Sequence, residues 1–249
     1  MTGNLYSVPN RPAHLQPHGA SRNSRSGTDA DALERFKIRE ICEGYPLYRD
    51  VSEWENFRSL FHDDAYVATS MSEGRIVDHI ALMQGHKENF PFYVIHHVLG
   101  QSVEVQNNRA ASQMKVFIVI RQDIDGVEVD CEVAARMFFL LEKRSGHWGI
   151  SFFTVLYESD KVIPVNPSNG SVDIPEEETR QFPSSGTDLF IMQSGYRYLC
   201  WCEAKLGFKP KLDLNSHGPE RDILYAKVKD WLEGRKVQPN LTGTDTVDF

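Results

Sequence analysis

Two adjacent imidazoles interrupt an apolar run, Tyr93-Val94-Ile95-His96-His97-Val98-Leu99-Gly100-Gln101, that leads into a strand-rich stretch. Histidine titrates nearest neutrality, so one that faces a pocket can take or give a proton. Neighbouring side chains of an extended segment point to opposite faces, which lets at most one of His96 and His97 look inward. The plainer reading makes both of them edge or surface histidines. Other residues invite a chemical reading beside a structural one. Arg39, between Ile38 and Glu40, is either a solvated helix charge or a donor for an oxyanion or carbonyl oxygen. Glu132 belongs to Glu128-Val129-Asp130-Cys131-Glu132-Val133, where alternation puts three acids on one face. Such a face is usually solvated, yet Glu132 lies deepest and is a candidate partner for Arg39 or a second acid-base group. Tyr45 and Tyr48 precede a carboxylate, Asp50. Core packing suits Tyr45, while a phenol at a pocket mouth would donate to a substrate oxygen.

Composition narrows what these groups act on. A formal charge of -8 and a pI near 5.6 leave no clustered Lys and Arg for phosphates, which argues against nucleic acid or an anionic membrane and for a small molecule. No apolar run approaches the length of a membrane span, and residues 1–28 lack the apolar core of a secretory signal, so a cytoplasmic location is expected. The four cysteines do not make a scaffold. Cys200 and Cys202 flank Trp201 without nearby residues to complete a zinc site, and Cys42 and Cys131 sit in apolar periodic segments, so neither metal nor disulfides are expected.

The elements that must position these residues follow from periodicity. Residues 1–28 are rich in Ser, Asn, Arg, Pro and Gly and are expected to be mobile or loosely strapped to the surface. Thr28 and Asp31 form a capping box ahead of a helix whose face carries Ile38, Ile41, Cys42 and Tyr45, and Pro46 should bend or end it. Ser52 and Glu55 suggest a second capping box before Trp54, Phe57, Leu60 and Phe61. A strand over 65–70 and a third helix through Ile76, Ile80 and Met83 follow. Four strands are expected at 94–106, 110–121, 127–142 and 148–158, broken by Asn107-Asn108, Asp125-Gly126 and Ser145-Gly146, which tolerate positive φ. Three helices before a meander make an α+β domain with a cavity between sheet and helices. A connector over 161–186, helices at 187–206 and 219–234, and a polar tail over 235–249 complete the chain. The apolar stretch Met137 to Leu141 is hydrophobic on both faces, so one face should meet another subunit or the C-terminal extension.

Several segments together resemble SnoaL-like proteins of the NTF2-like superfamily: Ile38 to Tyr45, Asp50-Val51-Ser52-Glu53-Trp54, Leu60 to Ala65, His97-Val98-Leu99-Gly100, and Glu142 to Trp148. The resemblance covers about residues 32–158. It implies a cone-shaped α+β barrel, three N-terminal helices on a curved antiparallel sheet, that binds an apolar small molecule. The similar scytalone dehydratase-like and hexachlorocyclohexane dehydrochlorinase-like enzymes use no cofactor and pair an aspartate with a histidine. Asp50 aligns with that aspartate and His97 with that histidine, which leaves His96 a bystander. His86 falls near another pocket histidine of the dehydratases, though an exposed helix end explains it equally. The chain departs from scytalone dehydratase at Arg49, near Thr69 and near Met137, where two tyrosines and an asparagine are expected, and this makes scytalone an improbable substrate. It leaves open a rearrangement or cyclisation of the kind that SnoaL-like proteins with C-terminal extensions perform as tailoring enzymes in fungal-type secondary metabolism.

The expectation is therefore a cofactor-independent lyase or isomerase for a hydrophobic metabolite, working as a homodimer or higher homo-oligomer. His97 is the general base and Asp50 its orienting partner, with Arg39, Glu132, Tyr45, Tyr48, Thr69 and Met137 at substrate-contacting positions. The alternatives are a non-catalytic binding or scaffold protein of the same fold, and a shape-selective cyclase that needs no proton transfer.

Overall fold

A computed structural model of the chain describes residues 19–89, 93–169, 172–183 and 195–243. Helix α1 spans Asp29–Asp50, opened by both halves of the Thr28/Asp31 capping box. It does not end at Pro46. An interior proline forfeits one helical hydrogen bond and costs about 3 kcal/mol, but here Pro46 is buried. The adjoining Tyr45 ring stacks on Phe153 at 4.3 Å and meets Phe57 edge-on at 5.0 Å, which holds the last turn against the core. That turn carries Arg49 and Asp50. Helix α2, Trp54–Ser59, lacks the expected capping box: Ser52 has φ 65° and serves as the left-handed residue that ends α1, and Glu53 is the N-cap without a side-chain bond.

Strand β1, Phe61–Ala68, starts earlier than its pattern suggests and is followed by the short β2, Glu73–Arg75, and helix α3, Ile76–Asn89. Four long strands follow: β3 Tyr93–Gln106, β4 Arg109–Ile124, β5 Val127–Arg144 and β6 His147–Pro164. Their turns use the chemistry read from the sequence, with Asn107, Asp125 and Ser145 at φ between 50° and 56°. The sheet order is β2-β1-β6-β5-β4-β3, with β1 parallel to β6 and every other pairing antiparallel. It is an α+β arrangement in which the sheet curves over the helices without closing on itself, leaving β3 as an edge.

Alternation along the strands feeds two cores. On one face Val116, Ile118, Val133, Met137, Phe153 and Val155 meet Ile38, Cys42 and Tyr45 of α1. On the other, Phe138, Leu140 and Leu156 meet Leu224, Val228, Trp231 and Leu232 of α6, Pro219–Leu232. The two-faced apolar stretch in β5 is thus covered by the chain's own C-terminal helix. The short α4, Glu176–Thr179, and α5, Arg197–Lys205, close the concave side, while the earlier part of the helix expected over 187–206 lies outside the described residues through 194. Two expected tails are partly docked. Ser21 exchanges backbone hydrogen bonds with Val105 on the open edge of β3 at 2.8 and 2.9 Å, and Leu241 and Thr242 are buried. Residues 1–18 and 244–249 lie outside the described residues.

Candidate active site

Asp50, the last residue of α1, faces the β3 edge. Its Oδ2 accepts the backbone N–H of His96 at 2.7 Å, and its Oδ1 lies 2.7 Å from His96 Nδ1. A carboxylate can only accept, so Nδ1 carries the proton and Nε2 is left with a free lone pair. The His96 side chain is 6 % exposed and lines a cavity between the sheet and the helices. The apolar wall comes from Ile118, Ile120, Val133, Met137, Val155 and Leu199. Burial is the largest influence on the His96 imidazole and pushes its pKa down, against the pull of Asp50, so it rests neutral. Burial is the largest influence on Asp50 and would raise it, but the hydrogen bonds from the His96 side chain and backbone and the charge of Arg49 hold the carboxyl below its usual range. Arg49 Nη1 is 3.4 Å from Asp50 Oδ1, and its own side chain is 11 % exposed.

The expected histidine is therefore the wrong one of the pair, and the cause is one residue. Val103 and Val105 of β3 point into the core, and unbroken alternation back from them would turn His97 inward. Leu99 breaks it. Val98 pairs with Val116 and Gly100 with the next residue, Lys115, so Leu99 is an extra residue bulged out of the ladder. Parity flips there, His96 lies opposite the buried Ile118 on the cavity side, and His97 lies opposite Phe117 and is exposed.

The other sequence candidates divide. Tyr45, Thr69 and Met137 line the cavity; Tyr48 packs against the core outside its lining. Arg39 is corrected to the surface: it is 48 % exposed and bonded to Glu43 one helical turn along at 3.0 Å. Glu132 is likewise corrected. Cys131, Val133 and Ala135 take the inward positions of β5, so Glu132 faces outward and pairs with Lys161 at 2.9 Å. His86 is outside the lining, its ring 4.0 Å from that of Phe208.

Four polar side chains in the cavity, His79, Ser70, Glu203 and Tyr157, were not anticipated. His79 is 4 % exposed; its Nδ1 is 2.6 Å from Ser72 Oγ and its Nε2 has no hydrogen-bond partner among the described residues. Burial, helped by the Arg49 charge, pushes it down to about 3, so it is neutral. Its signal was its place on the buried face of α3, between Ile76 and Met83 at helical spacing. Glu203 arrives from α5, and Ser70 from the loop after β1 donates to its Oε1 at 2.6 Å. Nothing local marks either, because they meet only through tertiary packing. Among the described residues, no group of three His, Cys, Asp or Glu side chains is placed to hold a metal ion, and all four cysteines are free and buried.

The family model for the SnoaL-like domain matches residues 30–154, half of the chain. The chain belongs to the SnoaL-like family. Its fold is correspondingly NTF2-like, with the C-terminal helices as an addition to the matched region. The SnoaL-like chain is also 37 % identical over 248 residues to pea pathogenicity protein 2 of Fusarium vanettenii, covering 94 % of this chain and 99 % of that protein. It is 36 % identical over 253 residues to an uncharacterized protein of Emericella nidulans, at 94 % and 98 % coverage. Both likenesses run through the C-terminal helices. Among solved structures, the hexachlorocyclohexane dehydrochlorinase LinA-type3 of Novosphingobium barchaimii is similar over 59 % of this chain and 99 % of that one, with 16 % identity and a TM-score of 0.48.

Proposed function

We propose that this SnoaL-like protein is a cofactor-independent lyase or isomerase for an apolar small molecule, with His96 as general base. The observation that carries this reading is the part-buried Asp50–His96 pair, whose imidazole lines a cavity with an apolar wall. Asp50 fixes the imidazole from two directions, through Nδ1–H and through the backbone N–H of the same residue, so ring and chain are oriented together. It also offsets the positive charge that forms when Nε2 takes a proton. Arg49 keeps Asp50 ionised without being able to neutralise it by proton transfer, since guanidinium stays protonated. Ring neutrality at rest is what a base requires. Positioned acid-base groups of this kind contribute about 10²–10⁴-fold, and exclusion of water from an apolar cavity strengthens the electrostatics.

Abstraction of a proton from carbon next to a carbonyl is the first step shared by dehydration of β-hydroxycarbonyls and by double-bond isomerisation. The test is proton exchange. Small apolar ketones and β-hydroxyketones are incubated with the protein in D2O, and loss of the α-C–H signal is followed by NMR. The expected result is acceleration with at least one of them, falling about 10²–10⁴-fold in His96→Ala and unchanged in His97→Ala. Equal rates in the two variants would contradict the assignment.

A further inference from the structure

Helix α5 contributes a group to the cavity that packing does not require. Glu203 is 2 % exposed, and Ser70 Oγ–H donates to its Oε1, while Oε2 has no partner among the described residues. Ser70 is held in turn: Tyr157 OH lies 2.8 Å from its Oγ, and its backbone N–H donates to the same phenol oxygen at 3.2 Å. The ends of this arrangement are locked by the extension itself, through Lys211 N–H to the Ser70 carbonyl at 2.9 Å and Tyr157 N–H to the Leu214 carbonyl at 2.9 Å. A carboxylate buried this deeply needs a cation or several donors. Glu203 has one hydroxyl. The titratable groups around it stay neutral: Tyr157 and Cys200 are pushed up by burial, and Cys131 by its contact with Cys202 and then by burial. The cavity's cation, Arg49, lies beside Asp50. Burial pushes Glu203 up to about 8. The side chain is thus a neutral carboxylic acid whose second oxygen is buried without a partner among the described residues, on a residue that lines the same cavity as His96.

We propose that Glu203 is the acid partner of the His96 base, donating from Oε2–H to the carbonyl oxygen of an apolar ketone or enone, so that the C-terminal extension completes the catalytic pair. The proposal rests on the reading of His96 above. In the forward half, Nε2 of His96 takes the proton from carbon, the C–H electron pair becomes the C=C bond of an enol, and the carbonyl oxygen takes the Glu203 proton. In the second half, protonated His96 returns a proton to carbon at the same or a conjugated position, and the hydroxyl proton goes back to Glu203. Both groups end as they began, and no further reactant is consumed. Between the halves the carboxylate is held by Ser70 Oγ–H. Arg49 could polarise an oxygen but could not pass a proton to it.

The probe is acetophenone carrying ¹³C at the carbonyl, with two readouts: the infrared frequency of its bound carbonyl, and exchange of its methyl protons in D2O. Wild-type protein is expected to lower the carbonyl frequency and accelerate exchange. Glu203→Gln keeps an acceptor for Ser70 and should fold; it is expected to give a smaller shift and about 10²-fold slower exchange. His96→Ala is expected to keep the full shift and lose exchange. Wild-type shift and rate in E203Q would overturn the acid assignment, and so would failure of acetophenone to bind wild-type protein. A full shift without any exchange in wild type would overturn the base reading of His96, and the paired step with it, while leaving the Glu203 hydrogen bond standing. Should E203Q not fold, Glu203→Asp, which withdraws the carboxyl by one methylene, gives the same two readouts.

Discussion

At the scale of single residues, Asp50 has two jobs that substitutions can separate. Asp50→Ala removes the acceptor of two part-buried donors, His96 Nδ1–H and His96 N–H, and each unsatisfied donor costs at most about 1–3 kcal/mol. A drop in the urea midpoint is expected. Asp50→Asn keeps one acceptor, so it should lose less stability yet lose proton exchange, because the amide no longer fixes the imidazole tautomer or offsets its charge. His79 and Glu203 set opposite pH limbs. His79 is depressed from 6.5 to about 3, so the folded state binds fewer protons than the unfolded chain between those values. Its contribution is complete above about pH 6.5 and is lost as pH falls toward 3. Glu203 is raised from 4.5 to about 8, so its contribution is complete below 4.5 and is lost as pH rises through about 8. Thermal melts of wild type should weaken from pH 6.5 to pH 9, and those of Glu203→Gln should stay nearly level across that window; an equal decline in both would contradict the neutral acid.

At the scale of elements, the decisive feature is the Leu99 bulge. Leu99 is 66 % exposed and is the residue without a partner on β4, so deleting it should leave His96 opposite Ile118, preserve the cavity and cost little stability. Proton exchange at the wild-type rate is the expected result, and a deletion that brought His97 inward would be read as its loss. This element also marks how far the sequence could be read. Hairpin turns were legible because Asn107, Asp125-Gly126 and Ser145-Gly146 carry their conformation in their residue types. Thr69 and Met137, which line the cavity, were named only through the family resemblance, and Tyr45, which lines it too, was read chiefly as core packing. The bulge was not legible, since nothing about Leu99 distinguishes it from a ladder residue, and one extra residue reverses every facing on one side of it. Arg39 and Glu132 failed for the opposite reason. Their neighbours are apolar enough to promise a pocket, but the alternation that buries Val133 must expose Glu132.

At the scale of the whole molecule, the C-terminal extension is a structural necessity for the sheet. Trp231 Nε1–H lies 3.1 Å from both the Ala110 and Leu141 carbonyls, its ring meets Phe152 edge-on at 5.4 Å, and the Arg109 guanidinium lies 3.9 Å from its centroid. Trp231→Ala should cost about 3–5 kcal/mol, read as a fall in the denaturation midpoint. A chain cut after Pro164 would expose Phe138, Leu140 and Leu156 together and is expected to aggregate. The same cut removes Glu203 and Leu199 from the cavity, so fold and site depend on one segment. In the proposed reading, the C-terminal helices bring Glu203 to a cavity whose His96 comes from β3.

The central claim, that His96 is a neutral base whose proton is held by Asp50, is tested most directly by ¹⁵N NMR of the imidazole nitrogens at pH 7, with His96→Ala and Asp50→Asn used for assignment. The expected spectrum shows one buried imidazole protonated at Nδ1 and bare at Nε2, remaining neutral below pH 6.5 and losing that fixed tautomer in Asp50→Asn. An imidazolium at pH 7, or a His96 ring protonated at Nε2, would contradict it.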